Sequence, residues 1–192
     1  ETGSTVVIQL SDIFFDFCPG AGRLDFVHEL RANVTAMLRS SPGFLKEMER
    51  EVTRHGVALG WFGRFVTEKE KPEHKGEINL KHAGTMPLVT NVRLLALREG
   101  IEATPTLERI DRLHAAGVFG DDEQDYLSGA FDHLTNILLR QQITDFRAGR
   151  PVGYHVHPRS LSERERDILA DSLKSIDRLR DRVHHEFTAE AF

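Results

Sequence analysis

The segment from Ile78 to Ile110, INLKHAGTMPLVTNVRLLALREGIEATPTLERI, constrains the fold more than any other part of the chain. Apolar residues recur there at every third or fourth position on both sides of a glycine-containing break, which is the period of a helix with one buried face. The pattern predicts helices over residues 87–98 and 105–116, with Thr104 as the N-cap of the second and Pro105 at its first helical position. The apolar positions are Leu88, Val92, Leu95 and Ala96, then Leu107, Ile110 and Leu113.

Three arginines lie among these apolar positions: Arg93, Arg98 and Arg109. A guanidinium group that is buried without a partner loses its hydration and gains nothing in return, which is strongly unfavourable. We therefore expect each arginine to meet either an acidic side chain of the protein or an anionic ligand.

The remaining helices are predicted from the same periodicity. Apolar residues at helical spacing indicate helices over residues 24–38, 44–56 and 121–148. Ser162 and Glu165 form the capping box of a last, long helix. Amphipathic helices of these lengths, joined by short loops, predict a mostly α fold, an antiparallel helical bundle.

A short β segment is expected before the first helix. Residues 6–10 and 12–17 are rich in β-branched and aromatic residues, and Pro19 and Gly20 follow them as loop residues. The chain contains no internal repeat and no low-complexity tract.

Composition narrows the possible partners and the compartment. The 192 residues can bury a substantial core, and the net charge of −5 gives no electrostatic reason to expect nucleic-acid or membrane binding. No apolar run approaches the roughly 18 residues that a membrane span needs. The single cysteine, Cys18, cannot form an intramolecular disulfide. A cytoplasmic protein is the expectation.

Several motifs together resemble one bacterial family. They are NLK at residues 79–81, G-x-x-P-L-V from residue 84, V-R-L-L-A-L-R-x-G-I from residue 92, T-x-T-L-E-R-I from residue 104 and L-L-R-Q-Q-I from residue 138. The chain is similar, over residues 12–187, to the nucleotidyltransferase substrate-binding domain of signal-transduction proteins that carry CBS or cyclic-nucleotide-binding modules. In that family the helical domain follows a catalytic domain related to PII-protein uridylyltransferases.

The resemblance implies a division of the chain and a role for Asp16. Residues 1–22 would be the terminal strand segment of a truncated nucleotidyltransferase domain, and residues 23–192 the helical substrate-binding domain. The letters IFFDF followed by P-x-x-G resemble the strand that carries the third metal-binding acid, which makes Asp16 the candidate catalytic residue and Mg²⁺ ligand. Cys18 stands where the family usually has arginine. The alternative is that Asp16 caps a strand-to-loop turn.

One carboxylate cannot hold two Mg²⁺ ions, and the G-S and D-x-D motifs of this superfamily do not precede Asp16 in the sequence. The chain alone is therefore expected to be inactive, and Mg²⁺ to act only in an intact protein that includes the upstream nucleotidyltransferase and sensory domains.

The resemblance also implies a substrate-binding set, formed by Lys81, Arg93, Arg109, Arg140 and Gln142. Arginine binds phosphate or carboxylate groups with two parallel hydrogen bonds, and lysine supplies a compact charge. Such a set would hold a nucleoside triphosphate or an acidic acceptor protein. The alternative is internal ion pairing with Glu99, Glu108, Asp111 or Asp132. Asn79 replaces an aspartate of the family and Leu138 an arginine.

Two functions follow as hypotheses. The first is a substrate-binding and regulatory domain of a uridylyltransferase-like signal-transduction protein, and the second is a bundle that only dimerises or docks a protein partner. The ten histidines do not favour a zinc site. His184 and His185 are adjacent on a helix, and His155 and His157 have no third ligand at matching spacing.

Overall fold

Six α-helices account for most of residues 14–54 and 56–189, the residues that this computed structural model describes. The fold is therefore mostly α, as the periodicity predicts. The helices are α1 (Leu24–Arg39), α2 (Pro42–Val52), α3 (Met86–Glu99), α4 (Thr106–Ala115), α5 (Asp121–Arg147) and α6 (Glu163–Ala189).

A two-stranded antiparallel ladder is the sheet formed within the described residues. It pairs β1 (Ile78–Asn79) with β2 (His155–Val156), so that Ile78 lies opposite Val156 and Asn79 opposite His155. The ladder ties the segment before α3 to the connection between α5 and α6. A π-helical turn, Lys81–Thr85, then leads from β1 into α3.

The strand predicted over residues 12–17 does not form in its described part. Phe14–Phe17 makes a turn, in which the Phe17 amide donates to the Phe14 carbonyl oxygen at 3.3 Å. The turn lets Phe15 pack edge-on against Phe44 of α2, with ring centroids 6.4 Å apart. Phe15 therefore packs against a helix, and residues 14–17 form a turn instead of the paired backbone of a strand. Residues 6–10 lie outside the described part.

Helix α3 lies at the centre of the bundle and packs against α1, α2, α4 and α6. Seven of its 14 residues are buried and the others are half-buried, so none is exposed, which is typical of a helix in the middle of a core. Gly100 ends it in the left-handed conformation, at φ 72°, which glycine adopts without steric cost. The buried residues are Pro87, Leu88, Asn91, Val92, Leu94, Leu95 and Ala96.

The two longest helices, α5 and α6, pack along each other and have 27 residues each. The capping box of α6 is confirmed: the Ser162 amide donates to Glu165 Oε2 at 2.7 Å, and the Glu165 amide donates to Ser162 Oγ at 3.3 Å. Despite their length, neither helix nor any other in the described chain is apolar enough to cross a bilayer.

The start of α4 differs from the prediction by one residue. Thr106 is the first helical residue and Pro105 occupies the cap position in an extended conformation, so Thr104 is not the N-cap. The first helical hydrogen bond runs from the Arg109 amide to the Pro105 carbonyl oxygen, at 3.0 Å. This bond fixes Arg109 on the first turn of α4.

Candidate functional site

The Asp16 carboxylate lies between two arginines from neighbouring helices. Its Oδ2 accepts a hydrogen bond from Arg93 of α3, and its Oδ1 accepts one from Arg109 of α4. Arg109 also donates through Nε to the Ala103 carbonyl oxygen at 2.7 Å, which fixes the plane of its guanidinium group. Each carboxylate oxygen thus faces a different guanidinium group.

The arginines are more deeply buried than the acid. The exposed fraction of the side chain is 2 % for Arg109, 12 % for Arg93 and 32 % for Asp16. Burial lowers the pKa of Arg109, and the nearby charges of Arg93 and Arg31 lower it further, while the hydrogen bond and charge of Asp16 act in the opposite direction. Asp16 therefore offsets part of the cost of burying this cation, and it does so from the side that faces solvent.

A third arginine, Arg31 of α1, extends the group. Its Nη1 donates to the Glu102 carbonyl oxygen at 2.9 Å, its Nη2 donates to the Phe17 carbonyl oxygen, and its guanidinium lies 4.3 Å from the centre of the Phe17 ring. Both acceptors are neutral carbonyl groups. We call Arg31, Arg93, Arg109 and Asp16 together the arginine cluster.

A cleft of about 650 Å³ adjoins the arginine cluster. It lies between the loop after Asp16, helix α1, the α3–α4 connection and the first turns of α4. Its volume is within the range of small-molecule pockets. The polar lining residues include Arg31, His28, Glu102, Glu108 and Arg112, and Cys18, which is exposed and has a free thiol, also lines the cleft.

Arg140 lies in a different part of the structure from the arginine cluster. It lies on α5 and pairs with Glu165 of α6, in a second cleft of about 480 Å³ that Arg147 also lines. The hydrogen bond from Arg140, with those from Ser162, lowers the pKa of Glu165 to about 2. The internal pairing expected as an alternative is thus present at Arg140, with a partner other than the four acids considered.

Lys81 and Gln142, the remaining residues of the predicted set, are not among the described contacts of Asp16. The Lys81 ammonium lies 4.4 Å from the centre of the Tyr154 ring, and Gln142 is half-buried on α5. Arg98 pairs with Glu186 at 2.6 Å and with Glu99 at 3.0 Å. The structure therefore brings Asp16, Arg93 and Arg109 together and places Lys81 and Arg140 elsewhere.

The two departures from the family pattern have local roles. Asn79 Oδ1 accepts a hydrogen bond from the His82 amide at 3.1 Å, and its Nδ2 lies 3.4 Å from His155 Nε2. Leu138 packs, half-buried, against the core. Neither residue contributes a charge at its position.

A histidine cluster was missed by sequence reasoning. His74 Nδ1 lies 2.8 Å from Glu77 Oε2, and the rings of His74 and His155 are stacked with centroids 3.5 Å apart. The ligand atoms of these three residues all lie within 4.8 Å of one another. Burial, and then the charge of His74, lower the pKa of His155, which favours its neutral form. The one available signal was the H-x-x-E spacing of residues 74–77, in a charged loop.

Comparison with known families identifies most of the helical region. Residues 42–187 match a family model whose description is "Putative nucleotidyltransferase substrate binding domain". The match covers more than half of the chain, and it includes Arg93 and Arg109 but not Asp16 or Arg31. No curated protein and no solved structure shows significant similarity to the chain.

Proposed function

Because the chain belongs to the family of putative nucleotidyltransferase substrate binding domains, we propose that Arg93 and Arg109 bind an anionic group of the substrate. The substrate is a nucleoside triphosphate, and the anionic group is a phosphate. The observation that carries the proposal is the Asp16 carboxylate, which each arginine contacts through one oxygen. Asp16 is an internal anion in a position that a phosphate group of the substrate takes.

The geometry suits phosphate as well as carboxylate. Guanidinium groups donate planar, directional hydrogen bonds, and two of them from different helices can engage two oxygen atoms of one tetrahedral group. A phosphate also carries more negative charge than a carboxylate. It therefore compensates the charges of Arg93, Arg109 and nearby Arg31 better than Asp16 does.

The cleft supports a nucleotide rather than a free phosphate ion. Its volume of about 650 Å³ is large enough for a nucleoside, and Arg31 connects it to the arginine cluster. Asp16 is more exposed than either of the two arginines that it contacts. A ligand therefore reaches the two guanidinium groups from the side that Asp16 now covers.

The contacts of Asp16 favour an anion-binding site over the Mg²⁺ site that the resemblance implies. Two guanidinium groups within hydrogen-bond distance repel a divalent cation, and both carboxylate oxygens are engaged. Its assignment as a catalytic metal ligand stays a prediction. In an intact protein, Mg²⁺ and the transfer reaction belong to the catalytic domain. The helical domain positions the substrate and passes on signals from sensory modules.

Calorimetric titration with ATP and UTP, with and without Mg²⁺, tests the proposal on the wild type and on Asp16→Asn. The substitution keeps the shape of the side chain and removes the competing charge. We expect nucleotide affinity to rise at least about tenfold, since a hydrogen bond to a charged group is worth ~1.5–3 kcal/mol. Adding Arg93→Ala to Asp16→Asn should abolish the gain.

Asp25→Asn is the matched control, because Asp25 is exposed and pairs only locally, with Arg23, among the described contacts. It should bind nucleotide like the wild type. The proposal fails if Asp16→Asn and Asp25→Asn behave alike, or if neither the wild type nor Asp16→Asn binds a nucleotide.

Protein–protein association is a second candidate function, and the apolar surface at the N-terminal side of the bundle favours it. Phe26, Leu30 and Met37 of α1 are each more than half exposed, and their spacing places them on one face of the helix. A bundle that associates through this surface should show a concentration-dependent mass in sedimentation equilibrium. Phe26→Glu should abolish that dependence and Tyr126→Glu, on α5, should preserve it. A constant monomer mass would exclude self-association.

A further inference from the structure

The histidine cluster joins two segments that are distant in sequence. His74 and Glu77 belong to the loop before β1, and His155 belongs to β2. The pairing of Asn79 with His155 holds the two segments in register. Side chains from both segments therefore meet in a position that backbone hydrogen bonds define.

The loop that carries His74 and Glu77 is itself closed by backbone hydrogen bonds. The Glu68 amide donates to the Glu77 carbonyl oxygen at 2.7 Å, and the Gly76 amide donates to the Glu68 carbonyl oxygen at 3.0 Å. The Glu77 amide donates to the His74 carbonyl oxygen at 3.0 Å. Such a frame limits the conformational entropy that is lost when a ligand fixes the side chains.

We propose that His74, Glu77 and His155 form a binding site for a divalent transition-metal ion, with Zn²⁺ as the preferred ion. Two imidazole nitrogens and one carboxylate oxygen make a donor set that binds Zn²⁺ in many proteins and leaves a fourth position open for water or a substrate atom. All three side chains are half-buried, so the ligands are partly shielded and still reachable from solvent.

One ring rotates when the ion binds. The two imidazole planes are now within 9° of parallel, and an ion cannot lie in the planes of two stacked rings at once. A rotation of His155 about Cβ–Cγ brings its nitrogen towards the His74–Glu77 pair, which is already 2.8 Å apart. The torsion next to an sp² ring has a broad profile, so this movement is easily made.

The bound ion links the loop before β1 to the α5–α6 connection. It therefore stabilises the native arrangement of this end of the bundle, apart from the arginine cluster. The metal site does not depend on nucleotide binding at the arginine cluster, so metal binding and nucleotide binding can be tested independently.

Titration of the whole chain with Zn²⁺ and with Co²⁺ tests the site. We expect one ion per chain, a higher melting temperature with Zn²⁺, and for Co²⁺ the visible absorption of a four- or five-coordinate ion. His74→Ala and His155→Ala should each weaken binding by at least about a hundredfold, since loss of an outer-shell partner alone costs about 10–100-fold, and Glu77→Gln should also weaken it. His28→Ala, which removes an exposed histidine elsewhere, should bind like the wild type.

The outcome is decisive because the three ligands are half-buried side chains and their variants are expected to remain folded, which circular dichroism checks. Loss of binding in the ligand variants alone supports the site. Equal binding by the wild type and by His74→Ala, or no binding of either metal to the folded wild type, overturns it.

Discussion

At the residue scale, the positions of the charged side chains were only partly predictable. The sequence indicates that Arg93 and Arg109 lie beside apolar faces and need an anionic partner. The partner is Asp16, which is 77 residues before Arg93. Sequence spacing within one helix cannot predict such a contact, because it depends on the turn that Phe14–Phe17 makes against α2, α3 and α4.

Glu165 allows a test of the electrostatics at the residue scale. Its pKa is lowered from 4.5 to about 2 by the Arg140 hydrogen bond and then by Ser162. A carboxylate with a lowered pKa in the folded state stabilises the fold above its unfolded pKa, and this contribution is lost as the pH falls towards the folded value. The free energy of unfolding should therefore fall between about pH 5 and pH 2.

Glu165→Gln should make that decline shallower in chemical denaturation measured across this pH range, since the glutamine keeps the capping geometry and does not titrate. Glu163→Gln, at an exposed position two residues earlier, should leave the decline as in the wild type. Identical pH profiles for all three proteins would contradict the role assigned to Glu165.

At the scale of the secondary-structure elements, periodicity and capping chemistry predict most of the observed helices. Ser162 and Glu165 mark the start of α6 correctly, and Gly100 marks the end of α3. The predicted strand over residues 12–17 is wrong in its described part, because aromatic residues can pack on helices as well as pair in a sheet. The short β1–β2 ladder could not be predicted, because strands of two residues each are too short to show an alternation of apolar and polar residues.

Two glycines give a matched prediction at this scale. Gly100 has φ 72°, and a Cβ there would lie 3.1 Å from Thr35 Cγ2 and 3.3 Å from the Arg39 guanidinium. Gly100→Ala should therefore lower the free energy of unfolding by about 1–2 kcal/mol. Gly129→Ala, in the exposed middle of α5 with nothing within 4 Å, should raise it by about 0.5–1 kcal/mol. Equal effects of the two changes in urea denaturation would contradict this account.

At the scale of the whole molecule, the core is unevenly distributed. Helix α3 buries seven residues, whereas α1, which is two residues longer, buries only Leu38. Part of the attachment of α1 is polar: Arg31 donates to Glu102 and Arg39 donates to the Glu99 carbonyl oxygen at 3.0 Å. The mostly α class was predictable from periodicity, but this gradient depends on tertiary packing and was not.

Hydrogen exchange should reveal the gradient. Elements that bury few apolar residues open at lower free energy than the central elements of a core. We expect the amide hydrogens of α1 to exchange at least about a hundredfold faster than those of α3, a difference of ~2.7 kcal/mol. Equal protection of the two helices would show that α1 is as firmly packed as the centre of the bundle.

The central claim is that Asp16 occupies, as an internal anion, the position of a substrate phosphate. Cys18 is the only cysteine and lies two residues from Asp16, so a trifluoromethyl label on its thiol reports the state of this segment by ¹⁹F NMR. We predict that titration with ATP or UTP shifts the ¹⁹F resonance of the wild type towards that of Asp16→Asn. Nucleotide binding seen by calorimetry without any change in the resonance, although Asp16→Asn shifts it, would contradict the claim.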